Sequence, residues 1–428
     1  MLRKRNATAA ICSIVSLFAF AAAPASAAQY VVRSDTTVGS AVVEVWFRAP
    51  GAGYANDRPG IARVAVTAAA ASRPSPHGTS FAETVRAAGG RLSISAYPDM
   101  VSVAVSAPAN QAPAMLRALT RAYFAPHISA DGLKSAQRDT AIAVAERRFS
   151  ADRLLHDALF AQLFAQGPAH YPATPDSVKD VNALAMDEVQ TFASRAFRSG
   201  NAVVTLAGNF DPSIVSNSQQ PAGSAQPMEE PFDSVLSTAR EAVVLPAAVA
   251  GTGLGYAGPP IADMRAATAL DFVADYLFNP DTGAVAKAAV SEDSGAVLNG
   301  QFVTLHRTGA MIVTIASANK AMALRDGVLA AIDRLQSPLE PRTFSAALAA
   351  FEYHIESAVQ TPQNQADNFG WYAAQGDANY APGEQSGTYV RNVRSLDPQF
   401  VAATVRRYLQ HPALVELRAA ARPQETAQ

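Results

Sequence analysis

A weak internal duplication constrains this chain more than any other feature. A shift of 212 residues (390 − 178) pairs Val178 with Val390, Val181 with Val393, Leu184 with Leu396, Val189 with Val401, Arg195 with Arg407 and Val203 with Val415. In both copies a polar turn leads into a helix-period segment, Met186 to Phe197 and Pro398 to Leu409. A β-prone run follows each, Ala202 to Leu206 and Ala413 to Leu417. One gap-free offset sustained across helix and strand predicts two tandem copies of a single domain. The stretch from Ser213 to Ser224 shows neither periodicity and reads as a solvated linker. The expected organisation is an export signal at 1–27, a first domain at 28–212, a linker at 213–236 and a second domain at 237–428.

Each copy mixes strands and helices without strict alternation. In the first, Ala41 to Phe47, Leu92 to Ala96 and Val101 to Ser106 are strand candidates. Helices are expected at Ile61 to Ala71, Phe81 to Ala88 (closed by Gly89-Gly90), Pro113 to Tyr123, Gly132 to Arg148 and Arg153 to Ala165. In the second, Gly253 to Tyr256, Val297 to Thr304 and Met311 to Ala316 read as strands. Met264 to Leu277, Ala321 to Leu335 and Thr343 to Ala358 read as helices. The fold class this predicts is α+β, two homologous domains, each a mostly antiparallel sheet covered by helices on one face.

The chain starts with Arg3, Lys4 and Arg5, continues with an apolar run from about Ala9 to Ala23, and reaches the small residues Ala25-Ser26-Ala27. That is the pattern of a cleaved secretory signal, and the run is too short to span a membrane comfortably. Cutting after Ala27 removes the only cysteine, Cys12, so no disulfide framework or cysteine-built zinc site is expected. The expected location is periplasmic or secreted, with no membrane span once the signal is cut. Lys+Arg 34 against Asp+Glu 36 gives no electrostatic reason to expect nucleic acid or an anionic membrane as partner.

Seven histidines are present, and no two stand three or four apart, so the helical pair that holds a metal on one face is missing. His354 lies between Glu352 and Glu356, but on a helix the glutamates share a face that His354 leaves, which favours a solvated face over a ligand set. His170 belongs to a turn, and its reading is packing or hydrogen bonding. No Gly-x-Ser-x-Gly elbow occurs. Gly251-Thr252-Gly253-Leu254-Gly255 lacks the phosphate-loop ending and the dinucleotide spacing, and reads as the start of a close-packed strand.

The order of these elements resembles the pitrilysin/insulinase superfamily of inverted-motif zinc metallopeptidases, which includes processing-peptidase subunits and respiratory-complex core proteins. The resemblance is carried by Val42 to Gly51 with Pro59-Gly60-Ile61-Ala62, by Ala87-Ala88-Gly89-Gly90-Arg91-Leu92-Ser93-Ile94-Ser95 with Asp99, by Thr174 to Leu184, and by Leu206 to Pro212. It implies a His-x-x-Glu-His motif early in the helix after Gly60, whose histidines bind zinc while the glutamate takes a proton from bound water. Here Arg63 and Thr67 replace the histidines and Val66 replaces the base. A guanidinium is a permanent cation, and Val66 has no titratable group. Gln137-Arg138 stands where relatives tend to have Glu-Arg; the later glutamate falls on Val144, with Glu146 two positions on. Relatives also place an Arg and a Tyr after the first long helix of the second domain, and Ala284 to Val297 contains neither.

The expectation is therefore no catalytic residue, no metal and no cofactor, zinc included. The resemblance further implies that the strand edge at Ser93, Ile94, Ser95 and Ala96 pairs with an extended peptide, against the plainer reading of a hairpin strand. The leading function is an exported, non-catalytic member that binds peptide or completes the chamber of a catalytic partner, either a homologue of the same superfamily or a second copy of itself. The alternatives are an active zinc endopeptidase with a non-standard ligand set and a structural assembly subunit without a peptide cleft.

Overall fold

The computed structural model describes residues 28–48, 58–97, 99–147, 149–164, 177–216, 243–248, 250–305 and 308–419. The export signal at 1–27, all but the first turn of the linker at 213–236, and His170 lie outside these residues. In the first half the elements are β1 (Gln29–Ser34), β2 (Ser40–Arg48), α1 (Ile61–Ala71), α2 (Phe81–Ala87), β3 (Arg91–Ala96), β4 (Met100–Pro108), α3 (Ala112–Tyr123), α4 (Ala130–Arg147), α5 (Ala151–Leu163), α6 (Val178–Ala183), α7 (Met186–Ala196), β5 (Ala202–Gly208) and the short α8 (Ser213–Ser216). The second half holds β6 (Val243–Ala247), β7 (Gly251–Ala257), α9 (Met264–Phe278), α10 (Ala284–Glu292), β8 (Val297–Val303), β9 (Ala310–Ala316), α11 (Ala321–Arg334), α12 (Pro341–Ala358), α13 (Pro362–Gln375), α14 (Thr388–Arg394), α15 (Pro398–Tyr408) and β10 (Ala413–Ala419). No helix among the described residues is long and apolar enough to cross a membrane.

The two halves share one topology. Their five-stranded sheets run β1-β5-β2-β4-β3 and β6-β10-β7-β9-β8. The β1–β5 and β6–β10 pairs are parallel and the rest antiparallel. The chain is α+β, with two mostly antiparallel sheets covered by helices.

Strand alternation sends side chains to two different environments. On β2, Val43, Val45 and Phe47 enter the first core with Val64, Ala65, Val66 and Leu116. Alanines fill the inner face of α1, which favours the helix and keeps its axis close to the sheet. A capping box between Ser80 and Glu83 starts α2, and Gly89 at φ 70° turns the chain into β3.

The opposite face of each sheet is also covered, by a helix from the other half. Val42 and Ala207 pack against Ala366 of α13, while Leu155, Leu159 and Leu163 of α5 lie across the alternating glycines of β7. The expectation of helices on one face only is thus corrected. An unpaired face bearing Val42 and Trp46, or Val415 and Leu417, would leave apolar area in water, and exchanging α5 for α13 buries both.

Candidate functional site

The start of α1 is set by Gly60, whose φ of 84° makes the turn into the helix. Arg63 and Thr67 are half-buried on one face, four residues apart, while Val66 is fully buried in the first core. The Val66 carbonyl accepts a 3.0 Å hydrogen bond from Tyr123 Oη, which ties α1 to α3. A dication at this turn would meet a guanidinium and a single hydroxyl, and no carboxylate or imidazole from α1; these residues do not fit zinc.

The downstream positions do not supply what α1 lacks. Gln137 Nε2 donates to the carbonyls of Val181 at 3.2 Å and Leu184 at 3.0 Å, so its amide joins α4 to α6. Arg138 pairs with its neighbour Asp139 at 3.1 Å. Val144 packs against the first core, and Glu146 is exposed on α4. Among the described residues no three His, Cys, Asp or Glu side chains come together as a metal-binding group.

His354 departs from the solvated face its neighbours suggested. Its Nδ1 lies 2.9 and 3.0 Å from the Asp275 carboxylate oxygens and 3.2 Å from Asn279 Nδ2, so it docks α12 on α9. His156 on α5 is held below its usual range by burial and lies 4.7 Å from the Phe160 ring. Neither is placed to act as a base in an open cleft.

The four edge residues lie together on β3. Ser93, Ile94, Ser95 and Ala96 pair with Ala104, Val103, Ser102 and Val101 of β4, and among the described residues β3 has no strand on its other side. Ser93 is exposed; Leu92 and Ile94 turn their side chains toward the first core. Beside them is a groove of about 1050 Å³ whose lining includes Thr67, Arg86, Leu92, Ile94, His127 and Arg138. Its rim also carries Arg73 paired with Glu83, whose carboxyl is held down to about 2 by that guanidinium and by the Ser80 backbone N–H. Thr67 of α1 and Leu92 and Ile94 of β3 thus border one groove, while Arg63, Val66, Ser93, Ser95 and Ala96 are not among its lining residues.

A second polar group, which sequence reasoning missed, lies under α13. Glu44 is fully buried on β2, beside Asp367 of α13, and neither of its oxygens makes a hydrogen bond of normal geometry. Trp46 Nε1 and Thr205 Oγ1 close by likewise make no hydrogen bond of normal geometry. Alternation marks Glu44 as an out-of-pattern charge in an apolar strand, but its partner stands on a helix of the other half that the sequence did not reveal.

No family model matches the sequence, and no curated protein matches it. Solved structures do match its fold. A protease from Helicobacter pylori superposes with a TM-score of 0.80 at 15% identity, covering 92% of this chain and 97% of that one. A peptidase M16 inactive domain from Pseudomonas fluorescens gives 0.73 at 16% identity, covering 93% and 97%. A chain of complex III2 from Candida albicans gives 0.69 at 12% identity, covering 91% and 93%. The chain has the two-domain fold of the M16 peptidases, over nearly its whole length.

Proposed function

We propose that this chain is a non-catalytic member of the M16, or pitrilysin-type, peptidases, exported from the cytoplasm, which holds an extended peptide at the β3 edge for a catalytic partner of the same fold. The observation that carries this reading is an intact fold whose α1 turn offers Arg63, Val66 and Thr67 where a metal and its water would have to be held. One neighbour in fold is described as an inactive M16 domain and another is a chain of complex III2, which supports a role beside other chains. Export is supported by the leader at 1–27.

Peptide binding at β3 rests on main-chain groups. The Tyr97 N–H to Met100 carbonyl bond and the β3–β4 register turn the Ser93 and Ser95 N–H groups toward β4 and those of Ile94 and Ala96 outward, so Ala96→Pro removes an edge N–H without taking one from the hairpin ladder. The test measures hydrolysis of a fluorogenic peptide library by the mature chain alone, by an intact His-x-x-Glu-His homologue alone, and by their mixture. Hydrolysis that rises in the mixture and falls back with Ala96→Pro supports the proposal. Cleavage by this chain alone, abolished by chelation and restored by zinc, overturns it in favour of a metallopeptidase with an unusual ligand set. A mixture that assembles but leaves hydrolysis unchanged makes the chain a structural subunit instead.

A further inference from the structure

Beneath α13 the first sheet presents a carboxyl, Glu44, where the matching register position of the second sheet holds Gly251. Glu44 projects from β2 toward α13 and is fully buried. The elements packed around it supply the Ser102 hydroxyl from β4, Thr205 from β5, the Trp46 indole from β2 itself, Tyr97 beyond the end of β3, and Asp367 from α13. Asp99 is buried at the far end of α13, where Gln375 Nε2 reaches its Oδ2 at 3.4 Å. The cations along this seam are engaged elsewhere. Arg48 donates to the Ala373 and Ala374 carbonyls at 3.1 Å each, and Arg33 pairs with Glu384 at 2.5 Å while lying over Phe369.

Two carboxyls thus face each other with no cation between them among the described residues. Two ionised carboxylates sharing a buried site repel, so one of them keeps a proton. Burial, and next the nearby Asp367, hold the Glu44 carboxyl well above its ordinary range. Burial raises the Asp367 carboxyl too, but it is less buried than Glu44 and accepts a 3.0 Å hydrogen bond from Gln363 Nε2 that opposes the rise, so of the two it ionises first.

We propose that Glu44 keeps its own proton in the buried seam between the two halves, beside Asp367, and that these two carboxyls form a pH-sensitive latch holding α13 on the first sheet. The proton resides on Glu44; raising the pH removes it to solvent and leaves two like charges under the helix. The latch does not depend on peptide binding or on a partner.

The sign of the effect follows from linkage. In the unfolded or opened chain Glu44 ionises in the ordinary carboxyl range, whereas on the closed seam it holds its proton to higher pH. The closed state therefore binds more protons between those two values. Closure is favoured in full below that window and weakens as pH rises through it, by up to about tenfold per pH unit for one linked proton.

The chain itself supplies a local reporter, because its two tryptophans, Trp46 and Trp371, meet edge-on at this seam with ring centroids 5.7 Å apart. Intrinsic fluorescence and hydrogen exchange of the α13 amides are measured on the full mature chain from pH 5 to 9. The wild type is expected to change emission and to exchange α13 amides faster than intrinsic chemistry predicts as pH rises. Glu44→Gln, which keeps the shape and cannot titrate, is expected to flatten both responses. Should that variant fold poorly, Asp367→Asn removes the like charge that helps hold the proton on Glu44 and moves the transition to lower pH than in the wild type. Asp271, pushed up to about 8 by desolvation in the second half, adds a pH dependence common to all variants, so the difference from wild type is what reads the latch. Identical profiles for wild type, Glu44→Gln and Asp367→Asn overturn the proposal. So does stabilisation at pH 8 by added magnesium or calcium that Glu44→Gln abolishes, since a cation rather than a proton would then join the carboxyls.

Discussion

The two sheet–helix seams solve one packing problem with opposite distributions of bulk. Where α5 crosses β7, the strand is smooth: a Cβ added at Gly253 would stand 2.9 Å from Leu159 Cδ1, and one added at Gly255 would stand 3.2 Å from Leu159 and Leu163. Where α13 crosses β2, the strand carries Glu44 and Trp46 and the helix is smooth, with a Cβ at Gly370 falling 2.0 Å from Trp46 Nε1. The offset that relates the halves places Leu155 opposite Asp367 and Ala158 opposite Gly370, and sheet register sets Trp46, which faces Val203, against Gly253, which faces Val415. Duplication preserved the crossing of the helices, while the side chains filling the gap diverged. Total volume at a close-packed seam is constrained; which partner supplies it is not.

Separating the halves is expected to have the largest effect on this comparison. Residues 28–216 expressed alone lose α13 and expose Val42 and Trp46, and residues 237–428 alone lose α5 and expose the glycine track with Val415 and Leu417. Neither piece should show a cooperative unfolding transition, whereas co-expression should restore one. A piece that melts cooperatively on its own would show the exchange to be dispensable.

Side-chain truncation at the seams comes next. Trp46→Ala should cost about 4 kcal/mol and Leu159→Ala about 3 kcal/mol in urea unfolding, because each leaves a cavity between a rigid sheet and a helix. The glycine changes should separate the seams further. Gly370→Ala drives a methyl into the rigid indole and should lose about 2 kcal/mol despite better helix propensity. Gly253→Ala meets only the end of a leucine and should lose about 1 kcal/mol. Equal losses at both glycines would remove the argument that bulk sits on opposite partners.

The smallest expected change is the most informative about chemistry. Making the first seam apolar with Glu44→Val and Asp367→Leu should be neutral or stabilising by about 1 kcal/mol near pH 8, since a buried carboxyl pair is often no better than apolar packing. The same double variant should lose the pH dependence of α13 exchange. Unchanged pH dependence would show that the seams differ in shape alone.

Much of the fold was legible because duplication, periodicity and glycine stops are local signals. The helix at Ile61 to Ala71, the hairpin of β3 and β4, and the close-packed strand at Gly251 to Gly255 lie where the pattern puts them. β1, β6, α10 and α13 carry no such signal, and the polar turns expected before Met186 and Pro398 hold the short helices α6 and α14. α13 carries Asn364, Asn368 and Gly370, residues that weaken a helix in isolation and are tolerated here by a packing partner far away in sequence. The site was legible only by residue type: Arg63, Val66 and Thr67 show at once that α1 offers neither a ligand pair nor a base. That Val66 is sealed into the core, that Gln137 ties α4 to α6, and that His354 docks on Asp275 required the coordinates.

The sequence alone therefore determined that the chain is a tandem of two like units and that α1 lacks the groups to bind and activate a metal-bound water, because repeats and side-chain chemistry are written residue by residue. Only the tertiary structure decided that each unit lends a helix to the other, and that Glu44 meets Asp367 beneath one of them. Burial and partnership are properties of what surrounds a residue, and here what surrounds it comes from the opposite end of the chain.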